Sequence, residues 1–287
     1  MNEQKVAVYS GTRCLYPYMP AAIRSMLANS SVDKIYLYIE DDKFPEWLPD
    51  MVETVKVNGE DFFPAGSANF NTYYTYMSMI RICDAKILPE SVHKALHMDI
   101  DTVVVDDIDE MWDFDLTGMW CGAVHEDTGT YRPNGDKYYN LGVCMFNLDQ
   151  MRKDGAADQL IEYLNKIKVP YIEQCAMNAV GQDKIVPLPA RFNESRVTEY
   201  TDNPAIVHFA AIMNWRDNFS LYRGNYLKEY KEMTWEEALR RHELNRAEEP
   251  EMEGGGSSWW YACPECHGAV DPKEKRCRHC NKKILWK

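Results

Sequence analysis

No stretch of this 287-residue chain approaches the roughly 20 consecutive apolar residues that a membrane-spanning helix needs. The opening residues Met1 to Lys5 have no apolar run behind them, so a secretory leader is not expected and the chain is expected in the cytoplasm. A positive excess is missing too. Thirty-two Lys and Arg face 45 Asp and Glu, giving a net charge of -13. A field of that sign repels nucleic acid and anionic lipid and removes both as default partners. No internal repeat is visible, which argues against a solenoid or propeller. Cysteine is not scarce, with nine in all, but a reducing compartment leaves thiols free or bound to metal rather than paired as disulfides. Five of them, Cys14, Cys83, Cys121, Cys144 and Cys175, are scattered among apolar residues and are expected to be buried small hydrophobes.

What is present is a chain long enough for one large domain and a small one. Residues 5–9 read as a buried strand ended by Gly11 and Thr12, and residues 20–29 carry apolar side chains at helical spacing. Residues 34–39 and 52–57 read as strands, 72–88 as a helix stopped by Pro89, and 92–98 as a fourth strand. Later strands are expected at 120–124, 143–147, 184–188 and 205–209. Strands alternating with helices predict an α/β fold around a largely parallel sheet. A polar, helix-prone segment over 234–248 ends at Glu249 and Pro250, and the Gly/Ser run 254–258 has the composition of a flexible linker. The expected division is a main domain over 1–248, a linker over 249–258 and a small domain over 259–287.

Asp99-Ile100-Asp101 follows the strand that ends at Met98. In an extended chain residues i and i+2 point the same way, so both carboxylates would face one point at the C-terminal edge of the sheet, where open α/β folds place ligands. Two hard oxygen anions so placed suit Mg or Mn shared with a phosphate. The same tripeptide also fits a solvated acidic turn, and residue chemistry alone leaves both open. His208 alone also fits a satisfied core histidine, Arg81 a helix-surface charge, and Asn140 and Gln174 polar loop residues.

The order of several segments carries more. Ile80-Arg81-Ile82, Ile87-Leu88-Pro89, His97-Met98-Asp99-Ile100-Asp101-Thr102-Val103-Val104 and Asp107-Ile108-Asp109-Glu110-Met111-Trp112 follow one another. Tyr139-Asn140-Leu141-Gly142-Val143, Glu173-Gln174-Cys175-Ala176-Met177-Asn178, Leu188-Pro189, Asn193 and the run His208 to Trp215 come after them. Over about residues 4–220 this series resembles the family 8 glycosyltransferases. The resemblance implies a GT-A fold, a nucleotide-diphosphate sugar donor (a UDP-sugar), Mn or Mg, and hexose transfer with retention of anomeric configuration. It implies Asp99, Asp101 and His208 as metal ligands, Arg81 at the diphosphate, Asn140 holding the sugar and Gln174 beneath the anomeric carbon, with Glu173 beside it. Tyr9, Ser10, Thr12 and Glu40, at the ends of the first two strands, are the candidates for the base, though each also fits an ordinary strand-end or turn residue.

Two departures stand out. The family's Gly and Lys after the metal-binding His are Ala211 and Asn214 here, with Arg216 near enough to replace the Lys. Glu173 and Cys175 each replace an Asp. These changes sustain a second reading, a weakened sugar-nucleotide-binding scaffold.

Cys263-Pro264-Glu265-Cys266 and Cys277-Arg278-His279-Cys280 form two Cys-x-x-Cys knuckles with ten residues between them. Four thiolates in two close pairs suit a structural, tetrahedral Zn ribbon, and so short a segment needs the metal's binding energy to fold. From Trp259 onward seven Lys and Arg stand against three Asp and Glu, a surplus of four, so the rest of the chain carries -17 of the net -13. The ribbon is therefore a candidate for docking to the main domain, to a protein partner, to the acceptor or to nucleic acid. Its acceptor, whether sugar, protein or other, is not named by any residue.

Overall fold

The computed structural model describes residues 4–70, 72, 75–127, 137–212, 215–216, 222–255 and 258–286. The first four strands are β1 (Val6–Ser10), β2 (Lys34–Ile39), β3 (Val52–Lys56) and β4 (Lys94–Met98). A short β5 (Thr102–Val104) follows, then β6 (Cys121–His125), β7 (Tyr139–Asn147), β8 (Ile185–Leu188) and a short β9 (Ile206–His208). Seven of these form one mixed sheet in the order β3-β2-β1-β4-β7-β6-β8, with β7 antiparallel to both its neighbours. The α/β expectation holds, and the arrangement is a GT-A fold.

The sheet is covered on both faces, which is why β1 reads as an uninterrupted buried run. Its side chains alternate between two cores. Ala7 and Tyr9 pack with α1 (Met19–Asn29), while Val6 and Val8 face the opposite core, which includes Leu160 and Met177.

The helix expected over 72–88 is broken. Asn71, Tyr73 and Tyr74 lie outside the described residues, and the rest is α2 (Tyr76–Met79), a 3₁₀ turn Ile80–Cys83 and α3 (Asp84–Ile87). The tighter turn has a tertiary cause. Three residues per turn align Arg81 with Asp84, and these side chains pair with Asp99 and His97, residues two apart near the end of β4. The Arg81–Asp99 ion pair and the buried His97–Asp84 hydrogen bond thus override the α-helical period.

On the second face lie α4 (Leu148–Asp154), α5 (Ala156–Lys166) and α6 (Ile172–Val180), and α7 (Gly224–Glu232) and α8 (Trp235–Asn245) return to pack on α1. Among the described residues no helix is long and apolar enough to cross a membrane.

The C-terminal segment corrects the linker expectation. Glu251–Gly255 is a strand, β10, paired antiparallel with β11 (Ser258–Ala262), in a register that sets Gly254 opposite Trp259 and Gly255 opposite Ser258. Gly254 and Gly255 therefore belong to a paired strand and Ser258 to its partner. Gly256 and Ser257 lie outside the described residues.

The four-cysteine knob is seated on the main domain. Backbone N–H groups of Lys283 and Leu285 donate to the carbonyls of Leu244 and Glu248 at 2.7 and 2.8 Å. Lys283 Nζ sits between Asp107 (2.8 Å) and Asp109 (2.7 Å), Arg276 reaches Asn245 at 2.9 Å, and the buried Lys282 meets Glu248 at 2.7 Å. Asp109 also accepts from Ser31 N at 2.8 Å and lies 3.3 Å from Lys5 Nζ. Lys5 immediately precedes β1, so the knob sits at the N-terminal edge of the parallel strands, opposite the edge bearing Asp99.

Burial alone would push the Asp109 carboxyl up, but hydrogen bonds from Lys283 and Ser31 and the nearby Lys5 hold it below its usual range. Lys283 is held above its own range, its burial outweighed by Asp107 and Asp109. A depressed acid stabilises above its unfolded value of about 3.9 and a raised amine below about 10.4, so the pair contributes fully between those limits. We predict that Lys283→Ala lowers unfolding stability by about 1–3 kcal/mol across that plateau. Lys273→Ala, on the exposed side of the knob, should stay within about 0.5 kcal/mol. Thermal melts of both variants decide it, and equal melting temperatures would contradict the seating.

Candidate metal and donor site

Asp99-Ile100-Asp101 is a turn between β4 and β5 rather than a continuation of the strand. Asp99 N–H donates to Gly142 O at 2.7 Å, and Thr102 Oγ1 closes the turn on Asp99 O at 2.5 Å. The two carboxylates still converge, through the turn's geometry and not through strand alternation. β5 pairs antiparallel with β9 in a register that puts His208 directly across from Thr102. The imidazole Nε2 thereby comes within 3.4 Å of Asp101 and 3.6 Å of Asp99. The ligand atoms of all three lie within 4.8 Å of one another.

Two carboxylates and an imidazole within that span fit a hard or borderline divalent cation such as Mg or Mn. Burial would lower the His208 pKa, but Asp101 and Asp99 outweigh it and raise it. Burial would raise Asp101, and His208 outweighs it and lowers it. The cluster is thus an electronegative point that favours positive charge.

The ring depends on Gly142, on β7. A Cβ added there would lie 2.1 Å from His208 Cε1 and 2.6 Å from Nδ1. The glycine of the Asn-x-Gly-Val segment is therefore the space the ring occupies.

Arg81 is 1% exposed and turned inward. It pairs with Asp99, donates to Leu141 O and lies 3.6 Å from Glu173. Where the sequence led us to expect a group facing a diphosphate, the guanidinium lies beneath Asp99 and orients that carboxylate. Glu173 is 8% exposed, and its Oε2 has no hydrogen-bond partner among the described residues. Desolvation pushes its pKa up to about 8, with Arg81 opposing and Asp99 adding.

Asn140 and Gln174 face a shared acceptor that the sequence reading missed. Glu126 Oε2 accepts from Asn140 Nδ2 at 2.9 Å and from Gln174 Nε2 at 3.0 Å. Glu126 is buried and lies one residue past β6, just as Asp99 lies one residue past β4. A carboxylate directly after a buried strand was the available signal. Gln174 Oε1 accepts from Leu141 N at 3.1 Å, so both ends of its amide are held.

The candidates for a base separate. Tyr9 is fully buried, its hydroxyl 3.4 Å from Ala22 O, which corrects its expected place at the ligand. Ser10 faces inward too, donating to Met77 O at 3.0 Å and touching His97 Nε2 at 3.1 Å, while His97 Nδ1 meets Asp84 at 2.8 Å. The Ser–His–Asp order is that of a hydrolase, but His97 and Asp84 are wholly enclosed and the trio ties β1 to β4 and to residues 77–84. Thr12 is buried against Cys14 Sγ at 3.2 Å, and Glu40 accepts from Arg13 N at 2.7 Å. Cys14 is exposed, which corrects the expectation for that one cysteine; Cys83, Cys121, Cys144 and Cys175 are buried.

Ala211 has φ of +58°, the left-handed region that favours glycine, at a cost of about 1–2 kcal/mol to a residue with a Cβ. That explains why the resemblance calls for Gly there. Met213 and Asn214 lie outside the described residues. Arg216 stacks over Tyr18 at 5.3 Å and Trp215 at 5.9 Å.

The second cluster, in the knob, is Cys263, Cys266, Cys277 and Cys280, with all four sulfurs within 4.8 Å of one another. Cys263 and Cys280 are 3.6 Å apart, Cys266 and Cys277 3.7 Å. Those separations are far too long for S–S bonds and match the roughly 3.8 Å edge of a tetrahedron of thiolates about 2.3 Å from a central metal.

The family described as "Glycosyl transferase family 8" matches residues 21–218. Among curated relatives, the chain is 26% identical over 179 residues to General stress protein A of Bacillus subtilis, covering 52% of this chain and 62% of the relative. It is 21% identical over 281 residues to Glycosyltransferase GlyB of Streptococcus pneumoniae, covering 85% and 65%. It thus spans less than two thirds of these relatives' lengths. Among solved structures, the galactosyltransferase LgtC in complex with donor and acceptor sugar analogs superposes with a TM-score of 0.63 at 18% identity, covering 82% of this chain and 99% of that one. An active-site mutant of LgtC gives a TM-score of 0.67 at 20% identity, over 82% of this chain and 100% of the other. At such identities the likeness carries the fold.

Two predictions follow from the geometry. Gly142→Ala should displace the His208 ring and weaken Mn binding by roughly 10- to 100-fold, the range typical when a ligand's support is lost. Manganese titration followed by electron paramagnetic resonance reads this, and unchanged affinity would show that the ring is not held there. Glu173 carries a raised pKa, so its contribution is complete below the unfolded value near 4.3 and is lost as pH rises toward about 8. In metal-free protein, Glu173→Gln should therefore gain stability over the wild type progressively between pH 5 and 9. Parallel pH profiles for the two would contradict a neutral, buried Glu173.

Proposed function

The chain belongs to glycosyl transferase family 8, and from that premise we propose that it is a glycosyltransferase that moves a hexose from a UDP-sugar to an acceptor, with metal assistance and with retention of configuration. The observation that carries this reading is the convergence of Asp99, Asp101 and His208 on one point. These three side chains would hold Mn or Mg. The ion would supply a Lewis acid for a leaving group whose charge grows as the sugar bond breaks. The solved LgtC complex holds donor and acceptor sugar analogs, which supports a donor and an acceptor meeting on this fold.

For the transfer, Gln174 is a poor nucleophile, and both ends of its amide are already engaged by Leu141 and Glu126. A front-face route therefore fits these residues best. The bond from the anomeric carbon to the phosphate oxygen breaks with its electron pair going to the diphosphate. The acceptor hydroxyl attacks the same face, and its proton passes to the departing oxygen. Asn140 and Gln174 would orient the sugar. Arg81 would act at one remove, by fixing Asp99.

The four-cysteine cluster reads as a structural zinc site, closed by its own four sulfurs and so without an open position for chemistry. The reading of a weakened sugar-nucleotide-binding scaffold keeps one observation on its side, the strained Ala211.

The test is thermal stabilisation and turnover. UDP should raise the melting temperature with Mn or Mg and not in chelator. At 100 times its dissociation constant that is a gain of about 2.7 kcal/mol. Asp101→Ala should abolish both this gain and Mn-dependent hydrolysis across a panel of UDP-sugars while remaining folded. Stabilisation by UDP in chelator, or full turnover by Asp101→Ala, would overturn the metal-bridged donor. UDP binding without hydrolysis of any donor would favour the scaffold.

A further inference from the structure

His208 and the side-chain amides of Asn140 and Gln174 are joined by a continuous hydrogen-bond chain whose direction can be read link by link. His208 Nδ1 lies 2.8 Å from Asn193 Oδ1. Asn193 Nδ2 donates to Asn140 Oδ1 at 2.8 Å. Asn140 Oδ1 also accepts from Gly142 N at 2.9 Å, and Asn140 Nδ2 donates to Glu126, which takes Gln174 Nε2 as well. Asn193, Asn140, Glu126 and His208 are all buried, Asn193 completely.

The polarity is fixed by a backbone N–H. The Gly142 N–H can only donate, so the Asn140 atom it meets at 2.9 Å must be the oxygen, and the Asn140 NH₂ is turned to Glu126. An oxygen facing Asn193 requires Asn193 to present its NH₂, which leaves the Asn193 oxygen to His208. An oxygen at 2.8 Å requires a proton on Nδ1, and Nε2 is then the nitrogen that faces Asp99 and Asp101. A histidine ligates through the nitrogen that carries no proton, so the chain selects the tautomer that can bind.

We propose that Asn193 and Glu126 are positioning residues that, through this one-way chain, hold His208 in its Nδ1–H form and fix the amide orientations of Asn140 and Gln174. Metal ligation and sugar orientation are then settled by the same set of hydrogen bonds. This rests on the metal-and-donor reading of the site. Its test is chosen so that the two can fail separately.

In full-length protein, Asn193→Ala should leave His208 as a mixture of tautomers. Nitrogen-15 shifts of its ring, in chelator at a pH where it is neutral, report this. The variant should also weaken Mn binding by roughly 10- to 100-fold in a paramagnetic resonance titration. Asn193→Asp keeps an acceptor for His208 Nδ1 and loses the donor to Asn140. It should preserve the Nδ1–H form and hold Mn affinity within about threefold, while the KM for donor in hydrolysis rises as Asn140 turns. This second variant also covers the case in which the alanine variant does not fold. A pure Nδ1–H tautomer and unchanged Mn affinity in folded Asn193→Ala would overturn the proposal. So would loss of the Nδ1–H form in folded Asn193→Asp. Failure of the wild type to bind Mn, with its tautomer as described, would refute the metal reading and leave the chain of hydrogen bonds standing.

Discussion

Two carboxylates held within a few ångströms of one another repel, and much of this site answers that repulsion. Asp99 and Asp101 sit at a sheet edge where protein screens them less than water would. Arg81 meets Asp99 from below and is itself enclosed, which is tolerable only because its charge is paired. His208 meets both from the side. Glu173 is buried beside them, and desolvation, with Asp99 adding and Arg81 opposing, displaces its pKa to about 8. The 3₁₀ turn at Ile80–Cys83 follows from the same constraint, since it delivers Arg81 and Asp84 to partners two residues apart.

This charge arrangement bears on what the site can bind. A nucleoside diphosphate approaching two carboxylates, on a body with an excess of about 17 negative charges, meets repulsion at long and short range. Salt screens the long-range part within about 8 Å at physiological ionic strength, but not the contact itself. Arg81, the one buried arginine among the described residues, is already committed to Asp99. A divalent cation between carboxylates and phosphates reverses the local sign, and the reading of the site as metal-dependent draws on that as much as on ligand geometry.

Much of the frame was legible in local sequence. Lys34–Ile39 is a strand over its expected span, and the expected helix over 20–29 is α1 but for its first residue. Apolar periodicity and stop signals act within a few residues, so one window contains the information. The misreadings share a cause in partners distant along the chain. The 72–88 helix is broken by residues near 97–99, and Gly254 and Gly255 are in a strand because residues 258–262 lie beside them. Tyr9 looked like a strand-end polar residue, yet strand alternation turns it under α1. Asp99, Asp101 and His208 could be named because the family order was visible. Glu126 and Asn193 acquire roles only when segments 14 to 53 residues apart close into a chain, as Glu126 does with Asn140 and Asn193 with Asn140 in turn.

The basic surplus of the C-terminal segment first invited thoughts of nucleic acid, and its placement gives that charge another use. Arg276, Lys282 and Lys283 are turned to Asp107, Asp109, Asn245 and Glu248, so most of the surplus of four is spent against the acidic main domain. Complementary charge of that kind favours one docked orientation over others. The contact also reaches Asp109, which ties Ser31 and Lys5 together at the start of β1. The four-cysteine knob seated there braces the edge of the sheet opposite Asp99 and Asp101. It contributes to the site through the stability of the sheet that carries those residues, without a side chain at the site itself.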